Sequence, residues 1–149
     1  MRARLSQEFE QALRPLMAER IYPKGSALYC QGTAAEGIYL VEAGAVRVLL
    51  PLANNQTQLL EVARKGAILG LSEALSADHY RVTVEADETT TASYIARHDF
   101  LNLLEGRHEF CMQVVRLLSE SLHTLYHRFR SVSAHPGRPR RRVLDERFS

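Results

Sequence analysis

Pro23, Gly25, Gly32, Gly37, Gly44, Pro51, Asn54-Asn55, Gly66 and Gly70 punctuate the first half of the chain at short intervals. They help cut residues 20–96 into pieces of about four to eight residues, too short for ordinary helices and right for short antiparallel strands. The pieces carry strand character. Val46, Val48 and Leu50 alternate with Arg47 and Leu49, which buries one face. Ser26 to Gln31, Ile38 to Glu42, Ala45 to Pro51, Gln58 to Ala63, Arg81 to Ala86 and Thr89 to Ala96 are the expected strands. Leu60 and Val62 should point inward, and Asn54-Asn55 should form a hairpin tip, since Asn tolerates positive φ. The expected fold is mainly β, an antiparallel roll of jelly-roll type.

Helical spacing brackets this β unit. Leu5, Phe9, Ala12, Leu13 and Leu16 predict a short helix from about Ser6 to Met17, disturbed by Pro15 in its last turn. Phe100, Leu101, Leu103 and Leu104 predict another, ending near Gly106. Then Cys111, Val115, Leu118, Leu122, Leu125, Phe129 and Val132 follow at alternating steps of four and three. That seam is the a/d pattern of a coiled coil. A helix from His108 to Val132 would be about 37 Å long at the usual rise, longer than cover for the β unit requires. The expected arrangement is a homodimer through this seam; one broad core-facing helix in a monomer is the alternative. The domain plan is a helix in 1–19, the roll in 20–106, the long helix in 107–133 and a disordered basic tail in 134–149.

Charge and cysteine content exclude several functions. The net charge of +2 conceals a tail at +3, from five Arg against Asp145 and Glu146, and a body at −1. The body therefore offers no electrostatic footprint for nucleic acid; Arg138, Arg140, Arg141 and Arg142 could touch phosphates only nonspecifically. Cys30 and Cys111 cannot build a disulfide framework, a four-thiolate zinc site or an iron–sulfur cluster by themselves. The charged N-terminus lacks the apolar run of a signal peptide, and no window suits a membrane span, so a cytoplasmic protein without membrane contact is expected. His123 and His127 are one helical turn apart but find no third ligand beyond His135 in the tail. The expected strands 26–63 contain no His, which excludes a cupin-type metal centre. No Ser/His/Asp set, carboxylate pair or Walker loop is present, so neither enzyme activity nor a bound metal is expected.

A more specific pattern surrounds the glycines. Gly32-Thr-Ala-Ala-Glu-Gly-Ile-Tyr39-Leu-Val-Glu-Ala-Gly44-Ala-Val46 resembles the strand-pair motif of the CRP/FNR family's cyclic nucleotide-binding sensor domain. Pro23-Lys24-Gly25 is similar to that family's first turn, and Lys65-Gly66-Ala-Ile-Leu-Gly70 to its entry into the ligand cassette. The resemblance runs from about Arg20 to Arg130. It implies a small effector held between roll and long helix by Gly70, Leu71, Ser72, Glu73 and Ala74, by Tyr80, Arg81, Val82 and Thr83 opposite, and by Leu125 and Tyr126.

Three departures alter that implication. Leu71 stands where the family places a ribose-binding Glu. Tyr80 stands at the phosphate-binding Arg position, with Arg81 displaced by one. Leu125 and Tyr126 replace a polar pair on the long helix. A one-residue shift reverses the face of a strand, so Tyr80 should point in with Val82 and Val84 while Arg81, Thr83 and Glu85 point out. Glu73, turned inward, would repel a phosphate. Leu71 and Tyr80 thus disfavour cyclic AMP held in the usual manner, and a hydrophobic or aromatic-lined pocket is expected instead. The effector stays unidentified. Two functions remain open: a homodimeric effector-sensing domain, with DNA a partner only through a further output domain, or an interaction module with a degenerate pocket.

Overall fold

The structure, a computed structural model, describes residues 5–76 and 78–133, with residues 121–133 described by their backbone alone. The chain divides into two compact units: residues 5–111, and a second unit that begins at Met112.

The first unit opens with α1 (Gln7–Leu13), capped by the Ser6 hydroxyl, which accepts the Phe9 N–H at 3.1 Å. The helix ends four residues before the expected Met17. Pro15 lacks the N–H that a further turn needs, and the chain tightens into a 3-10 turn at Arg14–Leu16. Eight strands follow: β1 (Met17–Tyr22), β2 (Ala27–Tyr29), β3 (Gly37–Ala43), β4 (Ala45–Pro51), β5 (Thr57–Arg64), β6 (Ile68–Leu69), β7 (Thr83–Ala86) and β8 (Thr90–Ala96). The helix α2 (Leu71–Ser76) sits between β6 and β7, and α3 (Arg97–Glu105) and α4 (His108–Ser133) complete the order.

The strands make two four-stranded antiparallel sheets, ordered β1-β8-β3-β6 and β2-β7-β4-β5. Tyr39, Val41, Leu69 and Ala92 from the first meet Leu28, Tyr29, Val46, Val48, Ala63 and Val84 from the second in one core. The mainly β antiparallel roll expected from the punctuation is therefore present. On the other face of the first sheet α3 packs against β3 and β8. There Phe9 stacks on Phe110 with ring centroids 4.3 Å apart. Arg14 donates to both Glu42 oxygens at 2.6 and 3.3 Å, and the buried Ser93 hydroxyl donates to the same carboxylate at 2.6 Å. This ties the end of α1 to β3 and β8.

One reading of the strands needs correction, and β1 has no counterpart among the expected strands. Val62 is exposed instead of inward, because a β-bulge between Val48 and Leu49 inserts Leu60 into the β5 ladder and reverses the parity beyond it. Leu60 itself packs against the core. β1 carries no alternation in its burial, because it is the edge strand of its sheet and most of its residues are exposed.

Asn54 and Asn55 do adopt positive φ, 68° and 60°, at the β4–β5 connection. Gly44 turns β3 into β4 at φ +92°, and a Cβ there would lie 2.6 Å from the Thr89 carbonyl oxygen. The fully buried Thr90 hydroxyl beside it accepts the Ala45 N–H at 3.2 Å.

Candidate functional site

The segment between β6 and β7 forms the wall where the expected ligand residues lie. Gly70 has φ +80°, which starts α2 directly after β6. Leu71 and Ala74 are buried, Ser72 is exposed and Glu73 is half-buried. The backbone of Tyr80 is then pinned to the turn at Gly32. Its carbonyl accepts the Gly32 N–H at 2.8 Å and its N–H donates to the Thr33 carbonyl at 2.9 Å. Those two bonds fix which face each neighbour takes.

Tyr80 faces inward and is only 4% exposed. Its ring stacks on Tyr29 with centroids 3.9 Å apart, and its hydroxyl donates to the Gly37 carbonyl at 2.6 Å. A Cβ added to Gly70 would come 3.0 Å from the edge of the same ring, so Tyr80 fills the space against the Gly70 turn. Burial pushes its phenol up to about 12. Arg81 points the other way. Its guanidinium is exposed and donates to Asp78 at 3.0 Å, while its backbone N–H donates to Glu73 Oε2 at 3.3 Å. The His79 backbone N–H and Arg81 together hold the Asp78 carboxyl below its ordinary range. Val82 packs against the core, and Thr83 accepts the Gln31 N–H through its hydroxyl at 2.9 Å.

Among the expected site residues, then, Gly70 and Tyr80 come together, as do Glu73 and Arg81. Leu125 and Tyr126 lie outside the residues whose side chains are described, as do Leu122, Phe129, Val132 and the two helix histidines. On the rest of the expected seam, Cys111 is half-buried with its thiol directed to the Leu104 carbonyl at 3.3 Å, Leu118 is half-buried and Val115 is half-exposed. Residues 134–149, expected to be disordered, also lie outside the description.

A cleft of about 530 Å³ opens elsewhere on the roll, between the inner face of β1, β8 and β3 and the strand β2. Tyr29, Tyr39, Tyr80 and Tyr94 line it, with Arg20, Cys30 and Glu36. The tyrosines form a continuous ladder: Tyr80 on Tyr29, Tyr29 to Tyr39 at 5.4 Å, and Tyr39 edge-on to Tyr94 at 5.1 Å. The Arg20 guanidinium caps it 4.5 Å above the Tyr94 ring. Burial first, and the nearby Glu73 carboxylate second, push the Tyr29 phenol well above its ordinary value. Of the expected ligand residues only Tyr80 lines this cleft. One signal was available: in a chain with six tyrosines and no tryptophan, five of the six fall within residues 22–94. Among the described residues no helix is long and apolar enough to cross a membrane.

Comparison with known proteins gives consistent results. The family model for the cyclic nucleotide-binding domain matches residues 19–107. The chain is 28% identical over 85 residues to the cyclic AMP receptor protein of Thermus thermophilus, a stretch covering 57% of this chain and 39% of that protein. Its fold is similar to that of the Thermus thermophilus catabolite activator protein, with a TM-score of 0.77 at 23% identity over 87% of this chain and 61% of that one. It is also similar to CLP of Xanthomonas campestris, described as a c-di-GMP responsive global regulator, with a TM-score of 0.72 at 16% identity over 85% and 63%. The chain thus spans less than two thirds of the length of each of these proteins.

Proposed function

The chain belongs to the cyclic nucleotide-binding domain family, and on that premise we propose that it is the effector-sensing module of a homodimeric CRP/FNR-like transcriptional regulator whose effector is not a cyclic nucleotide held in the family's usual manner. The observation that carries this reading is the Tyr80 ring lying against the Gly70 turn with its hydroxyl already committed to Gly37. A phosphate buried there would need a compensating cation and several donors, since an unpaired charge in a low-dielectric interior is strongly disfavoured. The nearest guanidinium in sequence, Arg81, is turned outward and paired with Asp78. Glu73, close enough to Tyr29 to act on its phenol, adds a like charge.

A different effector is compatible with the fold, because the similar Xanthomonas regulator is described as responding to c-di-GMP. An effector acts by preferring one of two arrangements of the long helices. The heptad seam and the half-exposed Val115 on it support a helical partner, and a second copy of the chain supplies one of matching pattern.

Two measurements on the purified protein test the proposal together. Mass spectrometry after denaturation should find a released small molecule, or melting with a panel of cellular metabolites should reveal one that stabilises. A ligand at about 100 times its dissociation constant adds about 2.7 kcal/mol, a readily visible shift. If neither gives a ligand, the roll is an interaction module with a closed pocket and the sensing function is lost.

A further inference from the structure

We infer that the tyrosine-lined cleft between β1 and β2 is a binding site for a planar aromatic carboxylate, with Arg20 as its anion partner and the Tyr94–Tyr39–Tyr29 ladder as its stacking surface. This goes beyond the cassette reading, because the cleft shares only Tyr80 with the expected ligand residues. It stands whether or not the cassette binds anything.

The cleft follows from how the two sheets end. Tyr94 is paired with Ala18 on one side and Tyr39 on the other, so these side chains share a face of the first sheet. Arg20 is two residues beyond Ala18 and shares it too. That face belongs to the inside of the roll, since Tyr39 and Tyr94 pack against the core. The second sheet, however, stops at β2 and the first at β1. With no strand among the described residues bridging those two edges, the inner face is left open as a slot of about 530 Å³. Small-molecule sites are typically of about 300–1,000 Å³, so the volume suits a one- or two-ring compound.

The lining specifies the chemistry. Tyr39 and Tyr80 have their hydroxyls committed to the Leu28 and Gly37 carbonyls, so neither turns a free polar tip into the cleft. Aromatic rings prefer offset or edge contacts with other rings, which favours a planar aromatic ligand over an aliphatic one. Among the described residues the partner of the Arg20 guanidinium is the Tyr94 ring. Its fork of donors is therefore available to the carboxylate of a ligand that takes the place of the guanidinium over that ring. Glu36 lines the same cleft, and its charge reaches Tyr94 and Tyr80. It opposes a second acidic group on the ligand, so the site selects a monoanion.

Isothermal titration of the full chain with 2-naphthoate tests this. The expected result is saturable binding that Arg20→Gln weakens about tenfold, the loss of one charge-assisted contact, with naphthalene-2,6-dicarboxylate and cyclohexanecarboxylate both binding more weakly than 2-naphthoate. Arg20 is exposed, so its variant should keep the wild-type melting profile, and Tyr94→Leu should reduce affinity independently by removing the stacking face. Absence of saturable heat up to about 5 mM would overturn the inference. So would unchanged affinity in a folded Arg20→Gln, or tighter binding of 2-naphthylmethylammonium, which would transfer the recognition to Glu36.

Discussion

Replacing Tyr80 by phenylalanine keeps the ring on Tyr29 and deletes one bond, the hydroxyl donated to the Gly37 carbonyl at 2.6 Å. Both residues are buried, so water has poor access to the carbonyl left behind. Removing one partner of a buried hydrogen bond costs about 1–3 kcal/mol, toward the upper end when the orphaned group stays dry. For a domain of this size each kcal/mol lowers the melting temperature by about 3 °C, so Tyr80→Phe should melt about 3–9 °C lower. Tyr80→Ala also loses the stacked ring and leaves a cavity, a change that costs about 3–5 kcal/mol in buried aromatic positions. Thermal melts followed by circular dichroism, with a urea series to confirm that the transition slope is unchanged, read both. The Phe variant should lie clearly between wild type and Ala. A Phe variant melting with the wild type would refute the inward, bonded placement of Tyr80, and with it the argument that the Gly70 turn is closed.

Three further outcomes are expected. Tyr80, pushed up to about 12 by burial, stays protonated where the unfolded chain's tyrosines ionise near 10; its contribution is complete below pH 10 and declines as pH rises toward 12. Urea midpoints should therefore fall steadily over that window, and flat midpoints across it would contradict the burial of the phenol. Gly44→Ala forces a side chain into positive φ and within 2.6 Å of the Thr89 carbonyl, so it should destabilise by more than the roughly 1 kcal/mol of the backbone term alone; a melt within a degree of wild type would show that the β3–β4 turn relaxes freely. Leu118→Glu combined with Leu125→Glu should give monomers by light scattering if the heptad seam joins two chains, and an unchanged mass would dispose of the seam.

Much of the roll was legible because its signals are local. The alternation of Val46 and Val48 placed β4, and the glycines and Asn54-Asn55 placed its turns. The inward direction of Tyr80 matched its even spacing to Val84, but β7 begins at Thr83 and not at the expected Arg81, so what holds the ring inward is the pairing of the Tyr80 backbone with Gly32 and Thr33. Parity failed at Val62, where a bulge intervened and left no mark in the periodicity. β1 was missed because an edge strand lining an open cleft has no buried face to imprint a pattern. The tyrosine ladder was missed for a related reason. Tyr29, Tyr39, Tyr80 and Tyr94 come from separate segments, and they meet through pairings such as Tyr39 with Tyr94 that hydrophobic spacing does not specify. The site expectations drawn from the family pattern concerned the α2 segment, whereas the cleft described above lies at the sheet edge.

Calorimetric titration of the wild-type chain with cyclic AMP, repeated on Arg81→Ala, addresses the main contention head-on. If Tyr80 fills the phosphate position, as proposed, then with Arg81 turned to solvent the chain should give no saturable heat up to about 1 mM nucleotide, in either protein. Micromolar binding by the wild type that disappears in Arg81→Ala would mean that this arginine reaches an enclosed anion after all, and the reading of the cassette would be wrong.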